Sequence, residues 1–373
     1  MQGKDRYNDL VRRLWNLAEN RPGAYMARVF LLTLPGYAAV AAVPAAAFLL
    51  FVLAVLAAQS AGQAAALPLF ILAGALLAST LVSLTMRPPA PDGFYLDARN
   101  VRELVEAVED VRQRTGGPRI HAFVVSPEHN ATVVQRTRFG PLGPARNHMV
   151  VGMPLLDSLS PEHFLAVVAH EMGHLDGRGG SFGARVYRLR LAWHGFASNL
   201  EKAGFISWPH RAFFTWYAPY FAAFTHVMAR WQESEADQVA ARYAGDRTAA
   251  QAITAMEVVG RYAVQRFWPR VFRDLAEGGQ PAPLSTFAEE APLSPDSDPV
   301  RELLEQAEKE SPDLTDDHPS LVERVAKLGR KPEMPPVPGQ TASMKYLGDT
   351  AGAIRESLDR SFTKAFSRGV RRS

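Results

Sequence analysis

Two uncharged apolar runs near the N-terminus constrain this chain more than any other feature of its sequence. Gly36 to Ala58 reads GYAAVAAVPAAAFLLFVLAVLAA, and Ala66 to Met86 reads ALPLFILAGALLASTLVSLTM. A helix needs about 20 apolar residues to cross a hydrocarbon core, and each run supplies them. Pro44 lies inside the first run, where neighbouring helices can satisfy the backbone groups it frees. A cleaved signal peptide followed by a buried helix is the competing reading. The long basic leader and the second uncharged run argue against it. Lys4, Arg6, Arg12, Arg13, Arg21 and Arg28 precede the first run and Arg87 follows the second, whereas the connector around Gln59 to Gln63 has no charge. The positive-inside rule then puts both ends of the pair in the cytoplasm. The expectation is a basic cytoplasmic segment over 1–35, a transmembrane hairpin over 36–87 and a cytoplasmic remainder.

A chain of 373 residues has room for a good-sized core beyond those spans. It contains no cysteine, which excludes disulfides, thiol catalysis and cysteine-ligated metals. Any metal site must be built from His, Asp and Glu. The formal net charge of +3 is too small to argue for nucleic acid. The basic residues gather near the ends, including Lys364, Arg368, Arg371 and Arg372, where a membrane surface accounts for them more simply.

Past the prolines at 88, 89 and 91, Val101, Leu104, Val105, Val108 and Val111 recur at helical spacing up to Gly116-Gly117. Three short β-type runs follow, Ile120 to Val125, Thr132 to Gln135 and Met149 to Val151. They predict a small antiparallel or mixed sheet. Ser160-Pro161-Glu162 is a helix start, with a cap, a proline at the first position and an acid in the first turn. From there to Pro269 the chain reads as mostly helical. The Pro-, Ser- and acid-rich stretch 278–299 reads as a mobile loop. Helices over Val300 to Lys309 and around Leu321 to Leu328 precede a basic amphipathic C-terminal tail, 331–373.

The helix opened by Ser160 carries His170-Glu171-Met172-Gly173-His174. Histidines at i and i+4 share a helix face and can bind one metal ion, and Glu171 lies beside the first of them. This is the H-E-x-x-H spacing of zinc sites in which the glutamate acts as general base. A catalytic zinc needs a third protein ligand and an open position for water. Downstream, Arg230 to Asp237 reads RWQESEAD, placing Glu233 and Asp237 one turn apart on a common face. Glu233 can ligate, and Asp237 can accept from a ligand histidine and fix its tautomer. Taken without the upstream motif, these acids would read as a solvated helix face.

With HEMGH followed by ESEAD, the chain resembles the membrane zinc endopeptidases of the HtpX and CAAX-prenyl-protease type. Asn130-Ala131 before the zinc helix, and His318-Pro319 followed by Arg324 after it, complete that family's pattern between about Tyr95 and Leu328. The hairpin favours the HtpX-like branch. The resemblance implies an α+β, helix-dominated fold: the two-helix transmembrane hairpin, then a zincin-type metalloprotease domain over 92–330 with a small sheet. It implies one catalytic Zn²⁺ on His170, His174 and Glu233, catalysis by Glu171 and support from Asp237. By resemblance alone, His318 helps stabilise the reacting oxyanion, and Asn130 sits on an edge strand that pairs with an extended peptide. On its own, His318 reads as a turn histidine before proline. The implied activity is endopeptidase cleavage of membrane-associated proteins at a cytosolic site of a bacterial inner membrane, in quality control or processing. The alternative is a membrane-anchored adaptor that keeps the fold without cleaving.

HtpX-like proteins often have further spans between the two zinc motifs. Here Ala212 to Ala229 is the one candidate, rich in aromatics and bounded by Arg211 and Arg230. A single crossing there would separate Glu233 from His170 by a bilayer. That segment is therefore expected to be buried or interfacial, with its aromatics at headgroup depth, and not to span.

Overall fold

A computed structural model describes residues 2–60, 62–85, 90–137, 145–175, 207–279, 282–291, 293–310 and 319–370, with a few isolated residues between 186 and 200. The chain divides into two compact units. One comprises Met1–Pro89, Arg136–Ala145 and Ser181–Arg230; the other comprises Ala90–Gln135, Arg146–Gly180 and Trp231–Ser373.

The first unit is helical. Helix α1 (Gln2–Asn20) is amphipathic and buries Val11, Leu14 and Ala18. Helices α2 (Pro22–Ser60) and α3 (Gln63–Thr85) hold the two apolar runs, and α2 continues unbroken through Pro35 and Pro44. They pack lengthwise through a small-residue seam. Val40, Ala47 and Ala54 are buried at seven-residue spacing on α2, and Ala66, Ala73 and Thr80 on α3. Small side chains at such a seam let two backbones approach closely. The bulky residues point outward: Phe48 is 69% exposed, Leu49 59% and Ile71 63%. Among the described residues, α2 and α3 are the two helices long and apolar enough to cross a membrane.

The aromatic run expected at Ala212 to Ala229 lies in helix α7 (Trp208–Ala244). Phe214, Tyr217 and Phe221 are buried. The Tyr217 hydroxyl donates to the Leu32 carbonyl at 2.7 Å, and Tyr25 donates to the Phe224 carbonyl at 2.8 Å. The run thus lies beside the first part of α2, while Trp216 and Tyr220 stay exposed.

The second unit holds the sheet, whose strand order is β1-β2-β4-β3. The strands are β1 (Phe94–Tyr95), β2 (Ile120–Ser126), β3 (Ala131–Thr137) and β4 (Ala145–Gly152). It is mixed: β1 runs antiparallel to β2, and β2 runs parallel to β4 from Ile120↔Asn147 to Ser126↔Gly152. Strand β3 is an edge. The turn leading into it crosses the end of β4 at Gly152, where an added Cβ would lie 1.7 Å from the Glu128 carbonyl oxygen. Only glycine fits under that turn.

Helix α4 (Arg102–Thr115) ends at Gly116 as expected. After α5 (Met153–Ser158), helix α6 (Pro161–Leu175) starts at the predicted proline, with Ser160 Oγ accepting from the His163 backbone N–H at 3.3 Å. Helix α6 packs against α4 and against α8 (Asp246–Tyr262). Its Phe164, Val168 and Met172 are fully buried.

Two expectations are corrected. The stretch 278–299 is not a continuous loop: it contains helix α10 (Pro283–Glu290), which follows α9 (Trp268–Ala276). Leu284 and Phe287 are buried, and the Asp359 carboxylate accepts from the Leu284 backbone N–H at 2.7 Å, capping α10 from far along the chain. Likewise the residues after 330 are not a loose tail. Following α11 (Asp298–Lys309) and α12 (Leu321–Lys327), helices α13 (Ala342–Tyr346) and α14 (Thr350–Val370) join the core through Tyr346, Leu347, Ile354 and Leu358. The Ala342 N–H donates to the Leu159 carbonyl at 2.8 Å, directly before α6. Arg355 pairs with buried Asp157 in α5. The core thus runs well past the predicted domain end.

Candidate active site

Helices α6, α7 and α12 supply the site, which lies within the second unit. On α6, one turn separates His170 and His174, whose Nε2 atoms are 3.1 Å apart. From α7, Glu233 Oε1 approaches His174 Nε2 to 3.4 Å, and Oε2 approaches His170 Nε2 to 3.7 Å. One ligand atom from each residue lies within 4.8 Å of the others. Zinc bonds of about 2.0–2.1 Å in a tetrahedron put neighbouring donors about 3.3 Å apart, and the separations between the imidazole nitrogens and from each to its nearer carboxylate oxygen are close to that. The donor set, two imidazoles and a carboxylate without thiolate, also suits zinc.

Asp237, one turn beyond Glu233, approaches His170 Nδ1 to 2.9 Å. A carboxylate there accepts the Nδ1 proton, which leaves the Nε2 lone pair facing the other donors. Asp237 is held in turn by Arg324 of α12: Nε donates at 2.9 Å and Nη2 at 2.6 Å, a two-point contact. Burial alone would raise the Asp237 carboxyl, but hydrogen bonds from Arg324 and His170 outweigh it and hold the group well below the usual carboxylate range. Arg324 Nη2 also lies 3.8 Å from Glu233. Two carboxylates and one guanidinium leave a net charge of minus one beside the histidines, which favours a dication.

Close approach of α6 to α7 depends on Gly173, between the two histidines. A Cβ there would lie 2.9 Å from the Ala236 Cα and 3.1 Å from the Val239 Cβ. Gly173→Ala gains up to about 1 kcal/mol of helix propensity. Overpacking against backbone costs about 1–3 kcal/mol, and since the two helices carry different ligands, the strain falls on the site. The expected result is a net loss of up to about 2 kcal/mol and roughly tenfold weaker zinc binding by competition with a chelator. Unchanged affinity would show that the helices separate freely.

Buried His163 and His174 and half-buried His129 give the metal-free protein a pH dependence. Burial, aided by neighbouring His170, pulls His174 down to about 3. Burial also pulls His129 down to about 4, and lowers His163 despite its hydrogen bond to Gln251. The unfolded chain takes up these protons below about 6.5 while the folded chain does not, so stability falls as pH drops from there towards 4. In excess chelator, the melting temperature should decline from about pH 7 to pH 5. A flat profile would contradict the neutral buried imidazoles.

Glu171 lies on α6, one residue after His170, and is partly exposed. Asn130 falls one residue before edge strand β3, not within it. Its carbonyl accepts from the Gly152 N–H at 2.7 Å and its side chain is exposed. His318 lies outside the described residues. The role of Arg324 was not assigned from sequence; its partner Asp237 is 87 positions away, and only the arginine's recurrence after His-Pro pointed to it.

The sequence profile of peptidase family M48 matches residues 97–331, and the chain belongs to that family. No curated protein and no solved structure matches it significantly. The protein is therefore a metallopeptidase, a hydrolase of protein or peptide substrates in a family that uses a metal, and His170, His174 and Glu233 form a group able to hold one.

Proposed function

We propose that this chain is a membrane-anchored zinc endopeptidase that cleaves membrane-associated proteins at a cytosolic active site, in quality control or processing. The convergence of His170 Nε2, His174 Nε2 and the Glu233 carboxylate within a family M48 chain carries the reading. The outward-facing leucines and aromatics of α2 and α3 support the anchor, and the arginines and lysines flanking the pair support its orientation. His170, His174 and Glu233 would hold a zinc ion, which would supply Lewis-acid chemistry for activating water and polarising a carbonyl.

The chain's own groups do the rest. Glu171 takes the proton of the attacking water as general base and passes it to the departing amine. Asp237 and Arg324 hold the His170 ring in one tautomer and orientation. His318 donates to the oxygen that gains charge as the carbonyl is attacked. Strand β3, entered at Asn130 and last in the order of the described strands, offers its outer side to an extended substrate backbone, which is how an endopeptidase presents a mid-chain bond. The test is to purify the protein in detergent and measure bound zinc together with casein cleavage. About one zinc per chain with cleavage supports the reading. Zinc without cleavage would point to the silent adaptor, and protein that holds no zinc would defeat the proposal.

A further inference from the structure

A cavity in the peptidase unit has no part in the site just described. It has a volume of about 470 Å³ and lies between the start of α8 and the chain leaving α12. Gln251 of α8 is buried in its wall, and Arg247, Arg330, Lys331 and Glu333 stand around it. The backbone fixes this rim. Gly329 takes φ +69° just past α12; its N–H donates to the Ala326 carbonyl at 2.9 Å, and the Arg330 N–H donates to the Val325 carbonyl at 3.2 Å. That left-handed helix ending, followed by Pro332 and buried Met334, sets where Arg330 and Lys331 leave the helix.

Three cations against one carboxylate leave the lining with an excess of two positive charges, and Asp246, beside Arg247, is not part of it. Arg247 Nη2 pairs with Glu333 at 3.0 Å, but both side chains are more than half exposed, so the pair contributes little and yields to a stronger anion. Arg330 and Lys331 form no ion pair among the described residues. Gln251 adds a neutral donor. Ser160 Oγ lies 2.6 Å from His163 Nδ1, and His163 Nε2 lies 3.3 Å from Gln251 Oε1. The serine hydroxyl donates to Nδ1 of the neutral ring, so the ring proton is on Nε2 and is given to Oε1. This leaves the Gln251 Nε2, which has no partner among the described residues, to the cavity.

A phosphomonoester carries a charge of about −1.5 to −2 at neutral pH, which matches that excess, whereas a carboxylate carries one charge. Arginine forks and lysine ammoniums make charge-assisted hydrogen bonds to phosphate oxygens. The volume falls within the range of small-molecule sites, about 300–1,000 Å³, and leaves room for an organic group behind the phosphate. We propose that this cavity binds a small soluble phosphomonoester, held at its phosphate by Arg247, Arg330 and Lys331. The site goes beyond the peptidase reading and does not depend on it.

Phosphate also binds metals, so the test uses the full chain in detergent with excess chelator and no phosphate in the buffer. Glycerol 3-phosphate is titrated by calorimetry against sodium chloride of equal ionic strength, and the melting temperature is followed in parallel. The expected result is one saturable site per chain and a rise in melting temperature with the phosphate ester only. Arg330 and Lys331 are exposed, so Arg330→Gln/Lys331→Gln should fold normally and weaken binding roughly tenfold or more. Arg360→Gln/Lys364→Gln removes the same charge from α14 and should leave binding unchanged. Equal losses in the two double variants would reduce the effect to overall charge and overturn the site, as would a wild-type titration that does not saturate. Dioctanoyl phosphatidic acid in mixed micelles that binds where glycerol 3-phosphate does not would transfer the phosphate to a lipid headgroup and overturn the soluble ligand.

Discussion

Glu171→Gln should abolish proteolysis while leaving zinc at about one ion per chain. The substitution keeps the shape and most hydrogen bonding of the side chain but removes its ability to take a proton, so the loss falls on the chemical step. General acid–base catalysis contributes on the order of 10²- to 10⁴-fold, and a drop of that size is expected in kcat with little change in KM. His170→Ala or His174→Ala should behave differently, losing activity and metal together, because each removes one of three converging donors. Zinc content and casein cleavage measured on the three variants in parallel separate a base from a ligand. A Glu171→Gln protein that cleaves at the wild-type rate would sink the assigned role. A variant that has lost its zinc would make Glu171 part of the metal site.

The order in which these features could be read from sequence follows from how local their physics is. The helix that carries His170 and His174 was legible because all its signals lie within one segment: the Ser160 cap, Pro161, and histidines at i and i+4. The face shared by Glu233 and Asp237 was legible for the same reason. The sheet was half legible. Its three main runs show as β-type patches, but the order β2-β4-β3 depends on the turn that crosses Gly152, and β1 has two residues and no pattern to find. Helix α10 was hidden because Asp359, which caps its start, comes 75 residues after Leu284. The residues after 330 read as a basic amphipathic tail, because nothing local shows what its apolar face packs on. Yet Leu347, Ile354 and Leu358 sit at helical spacing and are buried in the main core of the second unit.

The same locality explains why Arg324 deserved a larger place than its sequence position gave it, and it leads to the second large effect. Arg324→Met should destabilise the protein by about 3–5 kcal/mol, because it leaves the Asp237 carboxylate, 1% exposed, without its cation. The Asp237 pKa is depressed in the folded chain, so this contribution is present above the ordinary carboxylate pKa. It is lost only as pH falls well below that value, and the penalty should therefore be seen in full at neutral pH. Asp237→Asn should have a different signature. It removes the carboxylate that fixes His170, so zinc affinity should fall about 10- to 100-fold. The double variant Asp237→Asn/Arg324→Met separates the two roles, since it removes both charges and leaves neither buried alone. Its melting temperature should recover much of what Arg324→Met loses, while its zinc affinity stays as low as that of Asp237→Asn. Strictly additive losses in the double variant would mean that Arg324 and Asp237 act independently. The chain of contacts from α12 through α7 to the His170 ring would then have no energetic meaning.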